Sequence, residues 1–422
     1  MQRRSFLQSS AAFSLLGLAG CATTGMPSRA QVVVIGGGYG GATAAKYVRL
    51  LSDHKVNVVL IEPNEAFVSC PMSNLVLGGS RQVAEITRPY TGLSKHGVQV
   101  VRDLATGVDT QRKVVTLARG GSIGYDKLIV SPGVDLQLGA IEGLAAAHAS
   151  GQVLQAWKAG PETVALRRQL EAMPDGGTYA ITIPEQPYRC PPGPYERACQ
   201  VAHYFSREKP RSRVLVLDAN PDVVSKGALF KRVWKERYGG IVEYRPRFHT
   251  VDVEPGAKAA ISELGDRVAG DVLNVIPPQR AGDVARQAGL ATANGRWCPV
   301  DFLTFESTQA PNVHVIGDAI QTAPLMPKSA HMANQHAKVC AAAVVDLLSG
   351  AAPQARPMLT NTCYSFVSDT DVIHVASVHA YDEARATFLA VRGSGGLSAE
   401  PSELEGRYAH SWAANIWADT LG

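Results

Sequence analysis

Several motifs that identify common classes of protein are missing from this 422-residue sequence. None of its seven cysteines forms a CxxC pair, and no CxxCH motif is present to attach a c-type haem. The histidines do not gather at metal-ligand spacing, since His331 and His336 are five positions apart and do not share one helical face. The sequence therefore predicts no haem and no metal site of its own.

The sequence also has little excess charge. Its 41 Lys and Arg residues against 37 Asp and Glu residues give a formal net charge of +4, and Arg3 and Arg4 account for half of that excess. No basic run or aromatic-studded basic helix is present, so nothing indicates nucleic-acid binding. A composition that is 45% hydrophobic and 18% charged is typical of a soluble globular protein. The length predicts two or three packed lobes.

The N-terminus has the layout of an export signal. Arg3 and Arg4 precede an apolar run over residues 11–19, which predicts a twin-arginine signal peptide and a periplasmic location. The run is too short to act as a permanent membrane span. Residues 18–21 also resemble a lipoprotein cleavage box with Cys21 as the lipidated residue, and simple cleavage is the alternative. We expect membrane contact at most through a lipid anchor at Cys21.

A compact strand–turn–helix pattern predicts a dinucleotide site. Residues 32–35 read as a buried strand of a parallel sheet, and Gly36, Gly38 and Gly41 form GxGxxG at the start of a helix. The glycines let the backbone approach a pyrophosphate at the positive end of that helix. Glu62 ends the next strand, where a carboxylate can accept the hydroxyls of a ribose.

The rest of the chain alternates between predicted strands and helices, which favours a second open α/β domain. The last 67 residues are strand-like early and helical late. The predicted fold class is α/β, with two Rossmann-like three-layer domains and a smaller C-terminal α+β domain. The predicted divisions are signal and linker 1–30, first dinucleotide-binding domain 31–157 and 290–355, second Rossmann-like domain 158–289, and C-terminal domain 356–422.

Two segments resemble the flavoproteins related to glutathione reductase, which have two dinucleotide-type domains. Residues 315–319 (VIGDA) resemble the late strand with its Gly-Asp pair, and residues 125–133 resemble the connecting strand. The resemblance implies that the dinucleotide is FAD, with Gly317 and Asp318 at its ribityl chain.

Five further segments are similar to the flavoprotein subunit of flavocytochrome c sulfide dehydrogenase. They are residues 69–74 (SCPMSN), 189–197 (RCPPGPYER), 276–280 (IPPQR), 297–301 (WCPVD) and 361–364 (NTCY). The similarity extends over nearly all of residues 32–422. It implies oxidation of hydrogen sulfide to zero-valent sulfur or polysulfide, with electrons passed to a c-type cytochrome subunit of one or two haems. Any haem would belong to that partner.

The same resemblance implies roles for three cysteines. Cys70 would hold the flavin covalently through a thioether to its 8-methyl group, although Pro71 departs from relatives in that loop, and a buried thiol is the alternative. Cys190 and Cys363 would form a redox-active disulfide, which hydrosulfide opens to leave a persulfide and a thiolate. A purely structural disulfide is the alternative, because an exported protein can form one.

Three other predictions concern groups around this chemistry. Glu196 lies near the start of a predicted helix and is the candidate proton acceptor, or else an ordinary acid favoured by the helix dipole. Lys328 is expected to face the flavin pyrimidine together with the N-terminus of the following helix. Cys199 and Cys340 are predicted to be core residues, and Cys298 has no evident chemistry.

Three other functions are weighed against this one. An NAD(P)H-dependent FAD disulfide reductase needs glycines after the strand at residues 179–183, where this chain has prolines and Cys190. Sulfide:quinone oxidoreductase should have amphipathic C-terminal helices for the membrane, whereas residues 403–422 mix polar residues among the aromatics without a broad apolar face. A non-catalytic FAD-binding scaffold is disfavoured by the cysteines placed around the flavin.

Overall fold

The computed structural model describes residues 30–422 of the chain. Arg3, Arg4 and Cys21 lie outside the described residues, so export and lipidation stay predictions. Among the described helices, none combines the length and apolar character that a bilayer crossing requires.

The first sheet has five strands, all parallel. In spatial order they are Val313–Val315, Lys127–Val130, Gln31–Ile35, Asn57–Ile61 and Val98–Val101. Their runs of Val, Ile and Leu are mostly buried, as expected where both faces of a parallel sheet are covered. The helix that follows the glycine turn, Tyr39–Leu51, packs against a long helix, Ala330–Ser349, which we call the central helix. Parallel strands end at one edge, so Gly36, Glu62 and Gly317 meet there although they are distant in sequence.

The second sheet has four parallel strands, and it confirms the predicted second open α/β unit. The strands are, in spatial order, Val242–Pro246, Arg213–Asp218, Thr178–Ile183 and Val272–Val275. Its larger helices are Pro161–Ala172, Gly193–Glu208 and Gly227–Arg237. The second of these, Gly193–Glu208, is called the cysteine helix because it begins directly after Cys190. The predicted α/β class is confirmed by the two parallel sheets together.

Short antiparallel sheets and helices fill the connections. The strands pair as Ala66–Val68 with Thr87–Pro89, Ala105–Asp109 with Val114–Leu117 and Ser122–Gly124, Val134–Leu136 with Gln279–Ala281, and Thr250–Glu254 with Ala259–Ser262 and Arg267–Ala269. The short α-helices are Ser73–Gly78, Thr91–Lys95, Leu144–Ala149 and Asp283–Gln287. Single turns of 3₁₀-helix lie at Val83–Ile86, Leu138–Ala140 and Gly317–Ala319.

The C-terminal segment forms an antiparallel sheet and one helix, as its pattern predicts. The strands are Met358–Phe366, Val372–Asp382, Thr387–Ala390 and Gly396–Leu397, and the terminal helix is Glu403–Leu421. Leu359, Phe366, Ile416 and Trp417 are buried in the hydrophobic cluster that also contains the first sheet. The segment therefore shares the core of the first sheet, and this packing brings the strand with Cys363 to the edge where the parallel strands end.

The terminal helix is fastened to the glycine-turn helix by polar contacts as well as by packing. Trp417 Nε1 donates to the hydroxyl of Tyr39 at 3.0 Å, and the guanidinium of Arg88 lies 4.2 Å from the centre of the Trp417 ring. Lys46 Nζ donates to the carbonyls of Ala418 and Asp419 at 3.1 and 3.0 Å. A cation at the C-terminal end of a helix also interacts favourably with the helix dipole.

Replacing Trp417 should therefore destabilise the protein far more than replacing another aromatic residue of the same helix. Trp417 is 7% exposed and Tyr408 is 52% exposed. We expect Trp417→Ala to lower the free energy of unfolding by about 3–5 kcal/mol, and Tyr408→Ala to change it by less than about 0.5 kcal/mol. Denaturant unfolding of both variants measures the difference. Equal effects would show that the terminal helix does not depend on this contact.

Candidate active site

One cavity of about 530 Å³ collects groups from all three parts of the described chain. The glycine turn, Glu62 and Asp318 come from the first α/β unit, and Cys190 and Glu196 come from the second. The C-terminal sheet contributes Cys363. No single segment of the sequence could indicate this meeting.

The glycine turn has both the tight geometry and the open face that a bound dinucleotide needs. Gly36 has φ +93°, and a Cβ there would lie 2.3 Å from the carbonyl oxygen of Ser131. A Cβ on Gly41 would lie 1.8 Å from the carbonyl oxygen of Gly36. A Cβ on Gly38 would meet nothing within 4 Å, so that position faces open space on the cavity. Gly36 and Gly41 are thus required by the turn, and Gly38 leaves room for a ligand.

Glu62 is buried at the edge of the cavity and helps to shape the glycine turn. Its Oε2 accepts from the backbone N–H of Gly37 at 2.6 Å. Its Oε1 accepts from the backbone and side chain of Asn64, at 2.8 and 2.6 Å. Tyr90 donates its hydroxyl proton to the carbonyl of Gly37 at 3.1 Å. Sequence reasoning found Glu62 but missed Asn64 and Tyr90, since no motif marks them.

Asp318 lies on the cavity wall in the turn that follows the strand Val313–Val315. Gly317 has φ +74°, a conformation that glycine adopts readily. Burial raises the pKa of the Asp318 carboxyl. Its Oδ1 is buried and has no hydrogen-bond partner among the described residues. A buried polar atom without a partner is costly, so this oxygen indicates that a ligand completes the site.

Lys328 is placed differently from the prediction. Its Nζ donates to the carbonyls of Asp318 and Ile320, at 2.9 and 2.6 Å, and lies 3.6 Å from the centre of the Trp297 ring. Lys328 is absent from the cavity lining among the described residues. Burial lowers its pKa to about 7. The ammonium is directed to these carbonyls because they provide the hydrogen bonds that a buried amine needs. It supports the Asp318 turn from behind and does not face the cavity.

Cys190 and Cys363 both line the cavity and are both partly exposed, but the predicted bond between them is not formed. The structure has both as free thiols, so their pairing stays a prediction about the oxidised protein. Cys190 has φ +55° and immediately precedes the cysteine helix. A Cβ on Gly193 would lie 2.9 Å from the sulfur of Cys190, so only glycine leaves space for that sulfur above the first turn of the helix.

Cys70 lies on the same cavity and contacts Arg189, which is partly buried and also lines the cavity. Arg189 Nη2 donates to the sulfur of Cys70 at 3.1 Å and also to the carbonyl of Trp157. The contact fixes the position of the Cys70 sulfur at the cavity wall. Arg189 begins the segment 189–197 (RCPPGPYER), but nothing in the sequence predicted its contact with Cys70. Cys199 and Cys340 are fully buried, which confirms that they are core residues.

Glu196 joins the three parts of the molecule at the cavity. Its Oε2 accepts from Asn74 Nδ2 at 3.1 Å, and its Oε1 accepts from the backbone N–H of Phe366 at 3.0 Å. Burial raises the pKa of the Glu196 carboxyl, which moves it towards the range where a carboxylate can exchange protons near neutral pH. The position supports the predicted role of proton acceptor, since Glu196 lines the cavity together with both cysteines.

Arg197, to which no sequence motif gives a role, binds the residues around Asn74 and Glu196 together. Its Nε donates to Asn74 Oδ1 at 3.1 Å, and its Nη1 donates to Asn274 Oδ1 at 2.8 Å. Its Nη2 donates to the carbonyl of Ala156 at 2.7 Å. Asn74 therefore accepts from Arg197 and donates to Glu196, which fixes the orientation of its amide.

The second sheet has no comparable dinucleotide site among its described residues. Asp218 ends the strand next to Thr178–Ile183, where a nicotinamide dinucleotide domain offers a carboxylate to ribose. Here Asp218 is fully buried and accepts from Tyr195, Tyr244 and Asn220 at 2.7, 3.0 and 2.8 Å. Glu62 also accepts internal hydrogen bonds but lines the large cavity, whereas Asp218 has no exposed surface and does not line it. Prolines and Cys190 follow the first strand in place of glycines, as the sequence predicts.

Three family models match successive parts of the chain. Residues 30–162 match the pyridine nucleotide-disulphide oxidoreductase model. Residues 163–277 match the central part of the sulfide dehydrogenase [flavocytochrome c] flavoprotein chain, and residues 355–421 match the flavin-binding model of flavocytochrome c sulphide dehydrogenase. The chain belongs to the flavoprotein family of sulfide dehydrogenases and sulfide:quinone oxidoreductases.

Individual relatives come from both branches of that family. The chain is 59% identical over 46 residues to the sulfide dehydrogenase [flavocytochrome c] flavoprotein chain of Chlorobaculum thiosulfatiphilum, which is 11% of this chain and 94% of that one. It is 24% identical over 299 residues to the mitochondrial sulfide:quinone oxidoreductase of Dictyostelium discoideum, which is 68% of this chain and 65% of that protein. The chain thus spans less than two thirds of the length of the Dictyostelium relative.

The fold is shared with a solved sulfide:quinone oxidoreductase from Aquifex aeolicus. The two structures superpose with a TM-score of 0.75 at 18% identity, over 93% of this chain and 91% of that one. This likeness confirms the predicted fold of two dinucleotide-type domains.

The residues of the cavity fit the FAD that this flavoprotein family implies. The glycine turn has room at Gly38 for a pyrophosphate, and Glu62 lies where an acidic residue serves a ribose. Asp318 lines the same cavity, and its buried Oδ1 has no hydrogen-bond partner among the described residues. The cavity continues from there to Cys70, Cys190 and Cys363.

Proposed function

We propose that this protein oxidises sulfide with Cys190 and Cys363 as its redox pair and passes the electrons through FAD to a c-type cytochrome. The observation that carries the proposal is the position of the two cysteines. They come from different domains and are 173 positions apart, yet they line the cavity that also contains the glycine turn and Glu196.

The proposed chemistry starts from the oxidised pair. Hydrosulfide attacks the bond between Cys190 and Cys363, so that one sulfur becomes a persulfide and the other becomes a thiolate. Glu196 accepts the proton that hydrosulfide brings, and its raised pKa suits this exchange near neutral pH. Bound FAD would accept two electrons together and release them singly, which matches a two-electron donor to a one-electron haem.

The family models support a cytochrome acceptor. The two that match the central and C-terminal parts of the chain both carry the name flavocytochrome c, and so does the relative with 59% identity. The terminal helix buries Ile416, Trp417 and Leu421, and on its exposed side Leu404 and Tyr408 are mixed with Glu403, Arg407 and Asn415, so no broad apolar face is presented. The second candidate is sulfide:quinone oxidoreductase, because relatives of that name match a longer part of the chain.

We further propose that Cys70 carries the FAD covalently and that the protein works in the periplasm. Cys70 lines the cavity, and a hydrogen bond from Arg189 holds its sulfur there. The periplasmic location rests on the twin-arginine pattern of residues 1–19.

The first prediction concerns the cysteine pair. Cys190→Ser and Cys363→Ser should each slow sulfide-driven flavin reduction by at least about 100-fold while FAD stays bound, because neither variant can form the bond that hydrosulfide attacks. Stopped-flow absorbance of the flavin measures the rate. Cys340→Ala serves as the control, since that thiol is buried in the central helix away from the cavity, and it should react at the normal rate. Normal rates in both serine variants would limit the pair to a structural role.

The second prediction concerns the electron donor and the electron acceptor. Sulfide should reduce the flavin rapidly, and NADH and NADPH should not, because prolines and Cys190 stand where the second sheet would need a glycine turn for a pyrophosphate. With sulfide as donor, cytochrome c should be reduced faster than a soluble quinone. The stopped-flow comparison uses the three donors and two acceptors under the same conditions. Fast reduction by NADH would overturn the reading of the second sheet, and a preference for quinone would move the protein to the other branch of the family.

The third prediction concerns the attachment of the flavin. Acid precipitation should leave the yellow flavin with the protein, and the band on a denaturing gel should fluoresce. In Cys70→Ser the flavin should move to the supernatant, because serine cannot form the thioether. Cys199→Ser is the matched control and should retain the flavin in the pellet. Release of all the flavin from the unmodified protein would contradict the covalent link.

A further inference from the structure

A buried lysine that no motif indicates lies behind the cysteine pair. Lys226 precedes the helix Gly227–Arg237, and its side chain is buried. Its Nζ donates to the carbonyl of Cys363 at 2.9 Å, to Ser365 Oγ at 2.7 Å and to the carbonyl of Ile373 at 3.4 Å. All three acceptors belong to the C-terminal sheet. A cation of the second α/β unit is thus inserted beside the strand that carries Cys363.

The charged groups around this ammonium are few. Burial lowers the pKa of Lys226 to about 8, and Cys363, Glu196, Cys190 and Glu405 oppose that change. An ammonium buried without a compensating anion is expensive. Of these four residues, Cys363 also accepts a hydrogen bond from the Lys226 ammonium through its backbone carbonyl.

The two cysteines differ in what surrounds each sulfur. Asn361 Nδ2 donates to the sulfur of Cys363 at 3.5 Å, and Ser329 at the N-terminus of the central helix donates to Asn361 Oδ1 at 2.7 Å. No hydrogen bond from the described residues reaches the sulfur of Cys190. Burial raises the pKa of both thiols. Lys226 is the first group that opposes this rise at Cys363, whereas at Cys190 it comes after Arg189.

Three groups favour a thiolate at Cys190: the positive end of the cysteine helix, Arg189 and, as at Cys363, Lys226. A helix end is equivalent to about half a charge. Glu196 lies in the first turn of this same helix, and its carboxylate opposes a second negative charge there. Arg189 is adjacent in sequence but donates to Cys70. The balance of charges therefore favours negative charge on Cys363.

We propose that Lys226 is a positioning residue that stabilises the thiolate of Cys363, so that hydrosulfide leaves its sulfur on Cys190. The step rests on the proposed function. Hydrosulfide forms a new sulfur–sulfur bond to Cys190, the bond between Cys190 and Cys363 breaks, and its electron pair stays on Cys363. The proton of hydrosulfide stays on the new persulfide until Glu196 accepts it. No other oxidant or reductant takes part.

The first experiment measures the thiols without any sulfide. The flavoprotein is reduced with a phosphine, treated with iodoacetamide between pH 5 and 10, and digested so that mass spectrometry reads each cysteine separately. In the unmodified protein, Cys363 should become reactive at lower pH than Cys190. Lys226→Met should slow alkylation of Cys363 at pH 7 by about tenfold and move its profile to higher pH, because only the thiolate reacts. Lys226→Arg should restore most of the reactivity.

The chain offers a matched control in Lys209. That lysine is also buried and also donates to three oxygen atoms, the carbonyls of Leu170, Glu171 and Met173, and it does not line the cavity. Lys209→Met should lose a comparable set of hydrogen bonds and leave both alkylation profiles unchanged. If Lys226→Met does not fold, Lys226→Gln keeps a donor for Ser365 without the charge. An unchanged Cys363 profile in the neutral variant, or a more reactive Cys190 in the unmodified protein, overturns the proposal.

The second experiment locates the sulfur. One equivalent of sulfide is mixed with the oxidised protein, the reaction is stopped with iodoacetamide, and the persulfide is identified by its mass. The persulfide should be on Cys190, and its presence on Cys363 would overturn the proposed direction. If sulfide does not react with the unmodified protein at all, the proposed function fails, whereas the alkylation profiles still test Lys226.

Discussion

The cavity depends on one buried carboxylate that bonds to all three parts of the molecule. Glu196 belongs to the cysteine helix, accepts from Asn74 of the first α/β unit, and accepts from the backbone of Phe366 in the C-terminal strand. Charge-assisted hydrogen bonds of this kind are stronger than neutral ones, and an unpaired buried carboxylate is costly. The three parts must therefore meet in one arrangement for Glu196 to be satisfied, and the same arrangement brings Cys190 and Cys363 to one cavity.

Other buried charges follow the same principle. Arg197 orients Asn74, Lys226 crosses from the second unit to the strand of Cys363, and Lys328 supports the turn of Asp318. Each cation donates to carbonyl, amide or hydroxyl oxygens of another segment. Removing one partner from such a network leaves the other buried and unsatisfied, so the contacts specify the interface more than they add stability.

The second α/β unit shows how a dinucleotide fold can serve another purpose. Its parallel sheet and crossover helices are retained. The carboxylate of Asp218, at the end of the strand Arg213–Asp218, accepts hydrogen bonds from within the unit and is fully buried. The loop after its first strand carries Cys190 to the cavity of the neighbouring unit. The fold by itself would suggest a second dinucleotide site. The residues at the edge of the sheet instead place Cys190, one cysteine of the proposed redox pair, at the cavity.

The sequence by itself determined the local elements. Alternating β and α patterns, the glycine turn with Glu62, the late Gly-Asp pair and the prolines after the strand at residues 179–183 are all short-range features, and the predicted fold follows from them. Resemblance then singled out Cys70, Cys190 and Cys363, and Glu196 was chosen from its position near the start of the helix after Cys190. Only the tertiary structure decided which groups surround them. Arg189, Arg197 and Lys226 are single charged residues that no period or spacing marks, and Lys328 turned out to support its turn from behind the cavity. The physical reason is that the contacts of these charges join distant segments, so burial and hydrogen-bond partners exist only after the three parts have packed together.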